Sequence, residues 1–223
     1  MKNYAIILAS GSGTRCQNSL PKQFLKIGDK TILEHTLDIF ETNSNIDGIV
    51  LVIPAQYRQI AIELMQNYKK IIKIIDGGKT RKESSYIGIN SIKEDNCNVL
   101  IHDCARPLLT QEVLNDCIEA LNNYDAIVTA VPSSDTVIEV ENGEVKNIPD
   151  RAKLMRVQTP QCFKLSLIKK AHELSKDDNN FTDDCGLVLK SKLAKVHIIK
   201  GDINNIKITY PQDIKFAELL KSN

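Results

Sequence analysis

Short β-branched runs alternate along the chain with longer stretches of helical spacing. The runs cover residues 4–9, 48–53, 71–75, 99–102, 126–131 and 196–199, and nearly continuous Val/Ile/Leu segments of this length suit strands covered on both faces. Between them Leu33, Leu37 and Phe40 recur on one helical face, as do Val113, Cys117 and Leu121, with Ile60, Leu64 and Asn67 a looser third set. Strand and helix in alternation predict right-handed crossovers and a mostly parallel, twisted sheet in an α/β, Rossmann-like three-layer fold. No repeat, low-complexity tract or Pro/Gly/Ser linker divides the sequence, so residues 1–223 are expected to form one domain.

One segment breaks the alternation. Residues 137–141 and 144–148 flank Asn142-Gly143, a two-residue turn signal because both positions tolerate positive φ. A β-hairpin arm is expected over about 137–150. Only partly apolar, it buries little by itself, so it is expected to pack on a second subunit rather than stand in solvent.

Composition narrows the partners. With 42% hydrophobic and 26% charged residues, the chain suits a soluble globular protein, and 29 basic against 28 acidic residues leave a net charge of +1. That balance argues against a broad surface for nucleic-acid backbones or anionic lipid. The absence of tryptophan and an aromatic content of 5% argue against base-stacking platforms. The apolar run near the amino terminus is too short for a membrane span and lacks a signal-cleavage pattern, which suggests a cytoplasmic protein. Six cysteines without a Cys-x-x-Cys pair suggest reduced thiols, not a zinc or redox site.

Candidate chemistry begins where the first strand ends, at Leu8-Ala9-Ser10-Gly11-Ser12-Gly13-Thr14-Arg15. Two glycines let backbone N–H groups approach an anion and Arg15 adds a positive charge, the makings of a phosphate cradle. A dinucleotide fingerprint would need glycine at position 16, which is Cys16, and a P-loop ending at Gly78-Lys79-Thr80 would need glycine at Lys73.

The continuation into Leu20-Pro21-Lys22-Gln23-Phe24 resembles the sugar-nucleotide nucleotidyltransferases. More closely, the chain resembles the cytidylyltransferases that make CDP-methylerythritol and CDP-ribitol. The same order of motifs runs on through Asp76-Gly77-Gly78, Arg81 and Ser84, then His102-Asp103-Cys104-Ala105-Arg106-Pro107, Asp135-Thr136, Arg151, Gln158-Thr159-Pro160-Gln161, Thr182-Asp183-Asp184 and Asn205-Ile206-Lys207. The resemblance implies a nucleotidyltransferase fold and transfer of CMP from CTP to a small polyol phosphate, with Mg²⁺ held mainly by the CTP phosphates and pyrophosphate released. It also implies a homodimer that shares Arg151 across its interface.

By the same resemblance, Arg15 and Lys22 would stabilise the α-phosphate and the leaving pyrophosphate, while Arg151 and Lys207 would hold the acceptor phosphate. Leu8, Ala9, Ser10, Gly11, Gly13, Gly77, Gly78, Arg81 and Ser84 would bind the nucleotide, and Asp103, Arg106, Thr136, Thr159 and Thr182 the acceptor. Simpler roles stand beside these: a first-turn helix position for Ser84, a cap for Asp103 or the threonines, a structural ion pair for Arg106 and a packing role for His102. The reaction needs no general base, since a phosphate monoester with a second pKa of about 6 is largely dianionic at neutral pH. Cations must instead offset the repulsion between dianion and triphosphate.

For the acceptor, Asp103-Cys104-Ala105-Arg106 and Thr182-Asp183-Asp184 lean towards methylerythritol phosphate, the preferred reading, and Ile148-Pro149-x-Arg151-Ala152 and Asp184-Cys185 with Val188-Leu189-Lys190 towards ribitol phosphate. A silent nucleotide-binding protein and a purine or thymidine sugar-1-phosphate transferase are the remaining readings; intact Arg15, Lys22, Arg151 and Lys207 argue against the first.

Overall fold

Each of the six β-branched runs forms a strand in the computed structural model, which describes residues 1–11, 20–176, 178 and 181–222. In chain order the first half comprises β1 (Lys2–Leu8), the short pair β2 (Lys26–Ile27) and β3 (Lys30–Thr31), α1 (Ile32–Thr42), β4 (Gly48–Ile53), α2 (Arg58–Leu64), β5 (Ile71–Asp76), α3 (Arg81–Asn90) and β6 (Cys97–Asp103). The second half comprises α4 (Gln111–Ala120), β7 (Ala126–Pro132), β8 (Glu139–Glu141), β9 (Glu144–Asn147), β10 (Met155–Lys164), α5 (Leu165–Leu174), α6 (Asp184–Ser191), β11 (His197–Lys200) and α7 (Pro211–Ser222).

Seven strands form one sheet in the order β5-β4-β1-β6-β10-β7-β11. β10 runs antiparallel to its neighbours β6 and β7, and the other pairings are parallel. Alternation along β1 feeds both faces. Ala5 and Ile7 join a cluster with Leu33, Leu37 and Phe40 of α1, Val113 and Cys117 of α4 and Ala217 of α7, while Tyr4, Ile6 and Leu8 join Ile89 of α3, Ile168 of α5 and Val188 of α6. Helices start on side-chain caps: Thr31 and Glu34 form a reciprocal capping box at α1, and Thr80, Thr110 and Asp183 accept from backbone N–H groups at α3, α4 and α6.

Strand order positions the site. From β1 the chain moves out to β4 and β5, then returns to β6 on the other side of β1, which makes the carboxyl ends of β1 and β6 the switch point where open α/β sheets leave a crevice. Leu8 and Asp103, the last residues of the two strands, are register partners there.

One strand was not expected and one helical face changes. β10 carries Gln158-Thr159-Pro160-Gln161 and so lacks a β-branched signature, yet it fills the gap between β6 and β7 with these polar residues buried. In α2 the apolar face is carried by Ala61, fully buried, whereas Ile60 is 40% exposed and Asn67 lies beyond the helix. The hairpin forms as expected, with Asn142 at φ 53° and Gly143 at φ 85° in the turn and Val140 opposite Val145. All its residues are exposed.

Truncating Leu37→Ala, at a fully buried position, should lower the unfolding free energy by about 2–5 kcal/mol. Ile60→Ala should cost less than about 0.5 kcal/mol. Urea titration of both variants checks the contrast; equal costs would put Ile60 inside the core.

Candidate active site

At the switch point three loops are tied together by backbone hydrogen bonds that extend the sheet ladder. Ala9 N–H donates to Val52 O at 2.8 Å, Gly77 N–H to Ile53 O at 2.8 Å and Cys104 N–H to Leu8 O at 3.0 Å. The loops after β1 and β5 then touch: a Cβ on Gly77 would lie 2.3 Å from the Ser10 Cβ, so only glycine fits that crossing.

Ser84, fully buried in α3, fastens the same contact. Its hydroxyl accepts from Ser10 Oγ at 2.7 Å and from Gly78 N–H at 3.1 Å and donates to Thr80 O at 2.9 Å. With its proton and both lone pairs committed, Ser84 acts as a loop fastener, at the first-turn helix position that was the simpler expectation. Gln23 secures the other side, donating from Nε2 to Ala9 O at 2.8 Å.

These loops surround a cavity of about 460 Å³ lined by Leu8, Ala9, Ser10, Gly11, Gly78, Arg81 and Asp103, with Lys22 and Lys207 on its wall. Lys22 opens a short 3-10 turn, Lys22–Phe24, whose Gln23 and Phe24 are buried behind it, and its ammonium donates to Ile208 O at 2.9 Å. Gly13 and Arg15 lie outside the described residues.

A second cavity, about 250 Å³, adjoins the first and is lined by Arg106, Val157, Gln158, Thr159, Gln161, Thr182 and Asp183. Arg81, Asp103 and Lys207 line both cavities. With Asp184 these three form a chain of alternating charge whose two acids are buried and whose Lys207 end is exposed. Arg81 Nε donates to Asp103 Oδ1 at 3.1 Å, Lys207 Nζ to Asp103 Oδ2 at 2.6 Å, and Arg81 Nη1 to Asp184 Oδ2 at 2.7 Å.

Burial alone would raise the Asp103 pKa, but Arg81 first and then Lys207 hold it well below the carboxylate range. Asp184, fully buried, is pressed the same way to about 2: burial raises it, and Arg81, with His172 and Ser85, more than offsets that. Burial also opposes the Arg81 charge, and Asp184 and Asp103 outweigh it.

Behind Asp103 a neutral relay sets its orientation. His102 Nε2 lies 3.1 Å from Arg106 O, which only accepts, so Nε2 carries the ring proton. Nδ1 then accepts from the Thr159 hydroxyl at 3.1 Å, and the Thr159 Oγ1 accepts from Asp103 N–H at 3.1 Å. Burial, the largest influence, pushes the His102 pKa down to about 4 and keeps this arrangement uncharged. The packing role expected of His102 is the one found. Thr159 is thus spent on positioning Asp103 rather than open to a ligand on every side.

Among the described residues Arg106 makes no ion pair; Nη1 donates to Asn205 O at 2.7 Å and Nη2 to Val157 O at 3.2 Å, clamping the 205–208 segment that carries Lys207 against β10. Thr182 is exposed at the rim of the second cavity, and the α6 cap is Asp183 instead. Thr136 is exposed near the arm. Arg151 lines neither cavity but a separate hollow with Ser133, Asp150 and Met155 at the foot of the arm, donating to Ser134 O at 3.2 Å. Lys22 and Lys207 thus line one cavity, and Arg151, expected to act across a dimer interface, lies at the foot of the arm apart from both cavities of its own chain. Sequence reading assigned no part to Asp184, Gln23 or the second-cavity residues Gln158 and Gln161; all but Asp184 are buried amides with no periodic signature.

Residues 4–222 match the family described as IspD, 2-C-methyl-D-erythritol 4-phosphate cytidylyltransferase. The chain belongs to this family. It is accordingly a nucleotidyltransferase. It is 42% identical to the 2-C-methyl-D-erythritol 4-phosphate cytidylyltransferase of Thermosipho melanesiensis, over 95% of this chain and 94% of the relative. It is 41% identical to the bifunctional ribulose 5-phosphate reductase/CDP-ribitol pyrophosphorylase of Haemophilus influenzae over 98% of this chain, which spans only 48%, about half, of that longer protein. The crystal structure of 4-diphosphocytidyl-2C-methyl-D-erythritol synthase from Anaerococcus prevotii superposes with a TM-score of 0.88 at 32% identity, covering 100% of this chain and 99% of the other. The α/β fold expected from the strand-helix alternation is the IspD cytidylyltransferase fold.

The His102 shift has a signed consequence. Its folded pKa of about 4 lies below the unfolded value of 6.5, so between these pH values the unfolded chain binds the extra proton and stability falls as pH falls. His102→Gln should flatten the dependence of unfolding free energy on pH across this window by up to about 1.4 kcal/mol per pH unit, as measured by denaturant titration at several pH values. An unchanged slope would show that His102 is already charged in the folded state.

Proposed function

We propose that the protein is a CTP-dependent cytidylyltransferase that transfers CMP to 2-C-methyl-D-erythritol 4-phosphate and releases pyrophosphate. The observation that carries this reading is the pair of cavities meeting at Arg81, Asp103 and Lys207, one walled by main chain and Lys22, the other by hydroxyl and amide side chains. A triphosphate suits the first and a short polyol phosphate the second, with the reacting atoms at their junction.

In this reading a phosphate oxygen of the acceptor attacks the α-phosphorus of CTP, a new P–O bond forms, and the bond to pyrophosphate breaks. No proton has to be removed from the nucleophile. Arg15 and Lys22 offset charge on the α-phosphate and pyrophosphate, Lys207 meets the incoming phosphate, and the Asp103 carboxylate accepts from an acceptor hydroxyl. Leu8, Ala9, Gly11, Gly13, Gly77 and Gly78 bring main chain to the nucleotide, with Ser10, Arg81 and Ser84 holding the loops. Arg106, Thr159 and Thr182 bound the acceptor cavity.

A divalent cation fits this donor set in one way. Asp103 is the acidic residue on the wall of the first cavity, and among the described residues no group of three Asp, Glu, His or Cys side chains gathers. Mg²⁺ held mainly by the triphosphate oxygens, with at most Asp103 nearby, matches that supply, and when bound it lowers the charge repulsion at the α-phosphate.

The arm supports a homodimer. Val137, Ile138, Val140, Val145 and Ile148 are all exposed on it, and a second copy covering them would bring Arg151 and Thr136 of one chain towards the acceptor cavity of its partner. No helix is long and apolar enough to cross a membrane among the described residues, and a cytoplasmic enzyme is the setting these substrates suit. The 41% identity to the Haemophilus protein supports a second reading, ribitol 5-phosphate as acceptor.

Purified protein incubated with CTP and Mg²⁺ should release pyrophosphate with methylerythritol phosphate faster than with ribitol phosphate; the reverse order makes the second reading correct, and no release with either overturns the activity. Lys22→Ala should remain folded and lose roughly 100-fold or more in kcat. Mixed Lys22→Ala and Arg151→Ala protomers should regain about a quarter of wild-type turnover if each site takes Arg151 from its neighbour. Confirmed heterodimers without recovery would rule out sharing.

A further inference from the structure

Asp184 lines neither cavity, yet its side chain is the most completely buried acid near them. Its Oδ2 accepts from Arg81 Nη1 at 2.7 Å, and its Oδ1 accepts from Ser85 Oγ at 2.5 Å and faces His172 Nε2 at 3.4 Å. Its backbone N–H is fixed as well, donating to Gln161 Oε1 at 3.0 Å. A buried ion pair of this kind is weak grounds for stability, since apolar residues of equal volume often serve as well. What it does supply is direction.

Arg81 has a planar fork that prefers to meet a carboxylate with two parallel N–H···O bonds. Here the fork is divided: Nε goes to Asp103, Nη1 goes to Asp184, and the buried Nη2 has no hydrogen-bond partner among the described residues. Because only Nε reaches Asp103, the second oxygen of Asp103 remains available to Lys207 at 2.6 Å. Remove the Asp184 charge, and the guanidinium has one carboxylate left within reach. Turning to bind it through both oxygens would displace Lys207 from Asp103 at the junction of the cavities.

We propose that Asp184 is a positioning residue for nucleotidyl transfer, acting through Arg81 to keep Asp103 shared between Arg81 and Lys207. This rests on the cytidylyltransferase reading for its activity readout and on geometry alone for its structural one. A misplacement of about an ångström caused by a remote substitution costs up to 10²-fold in rate. Asp184→Asn, which keeps the shape, should therefore lower kcat/KM for the acceptor by roughly 10- to 100-fold.

The decisive measurement is a double-mutant cycle of Asp184→Asn with Arg81→Met, read in kcat/KM and in Tm. If Asp184 acts through Arg81, the double variant is no less active than Arg81→Met alone, while its Tm rises above that of Arg81→Met because no unpaired buried carboxylate remains. Losses that multiply, or an Asp184→Asn enzyme with lowered Tm but unchanged kcat and KM, overturn the proposal. Should Asp184→Asn not fold, Arg81→Lys, whose amine cannot fork between two acids, must show the same loss, and wild-type kcat/KM in that variant overturns it. If the wild-type protein turns over neither acceptor, the functional reading fails separately. A crystal structure of Asp184→Asn then decides: Arg81 paired to both oxygens of Asp103 with Lys207 released supports the positioning role, and an unmoved Arg81 refutes it.

Discussion

The sharing of one buried carboxylate between two cations is the constraint on which the rest of this site depends. Asp103 is 8% exposed at the end of a fully buried strand, where an isolated negative charge would be strongly disfavoured. Its ionised state exists because Arg81 and Lys207 converge on it from segments 22 and 104 positions away in sequence. The dependence is mutual. Arg81 is itself desolvated and needs both Asp103 and Asp184 to stay there, so the order acid, guanidinium, acid, ammonium is one electrostatic unit. Neutral groups complete it: Thr159 and His102 hold the Asp103 backbone without adding charge.

That unit sits where the chain order of the sheet leaves space. A parallel sheet sends successive loops to the same edge, and the reversal between β1 and β6 keeps two such loops from covering one another. The β1 loop is instead pinned sideways, to the β5 loop through Ser10, Ser84 and Gly77 and to the Lys22 turn through Gln23. Main-chain groups at Ala9 to Gly11 are thereby offered to a ligand from a rigid frame, which lowers the ordering cost of binding. β10 contributes the opposite wall. Its ladder with β7 shifts register between Val157 and Gln161, and the residues in that interval are the ones that meet the second cavity and the support of Asp103.

How much of this was legible in sequence follows from the range of the interactions. Strands buried on both faces advertise themselves through β-branched runs, and the hairpin through two residues that accept positive φ; both are local signals, and both are found. β10 was not legible because its burial is satisfied by polar side chains, whose partners lie on β6 and α6. Asp184 was visible as part of Thr182-Asp183-Asp184, but its partner Arg81 lies 103 positions away, and no periodicity reports such a pairing. Motif order named Lys22, Asp103 and Lys207, and these three line one cavity. It could not say that the Ser84 hydroxyl is engaged within the protein, nor that Arg151 stands apart from the cavities of its own chain.

Net charge takes on a different meaning in this light. A chain with formal charge +1 builds an anion site by segregating charge and not by accumulating it. On the surface, pairs such as Lys2 with Glu94, Lys30 with Asp38 and Lys146 with Glu141 cancel locally in high dielectric, where they contribute little to stability. Within the site, Asp184 and Asp103 offset most of the charge of Arg81 and Lys207 before any ligand arrives. The group is then close to neutral, which avoids the self-repulsion of neighbouring cations. Lys22 lines the same first cavity as that cluster, its ammonium tied to Ile208 O beside Lys207. Charge balance and cavity wall thus meet in the same few residues: Arg81 and Lys207 are held by carboxylates, and Lys22 by a backbone carbonyl beside them.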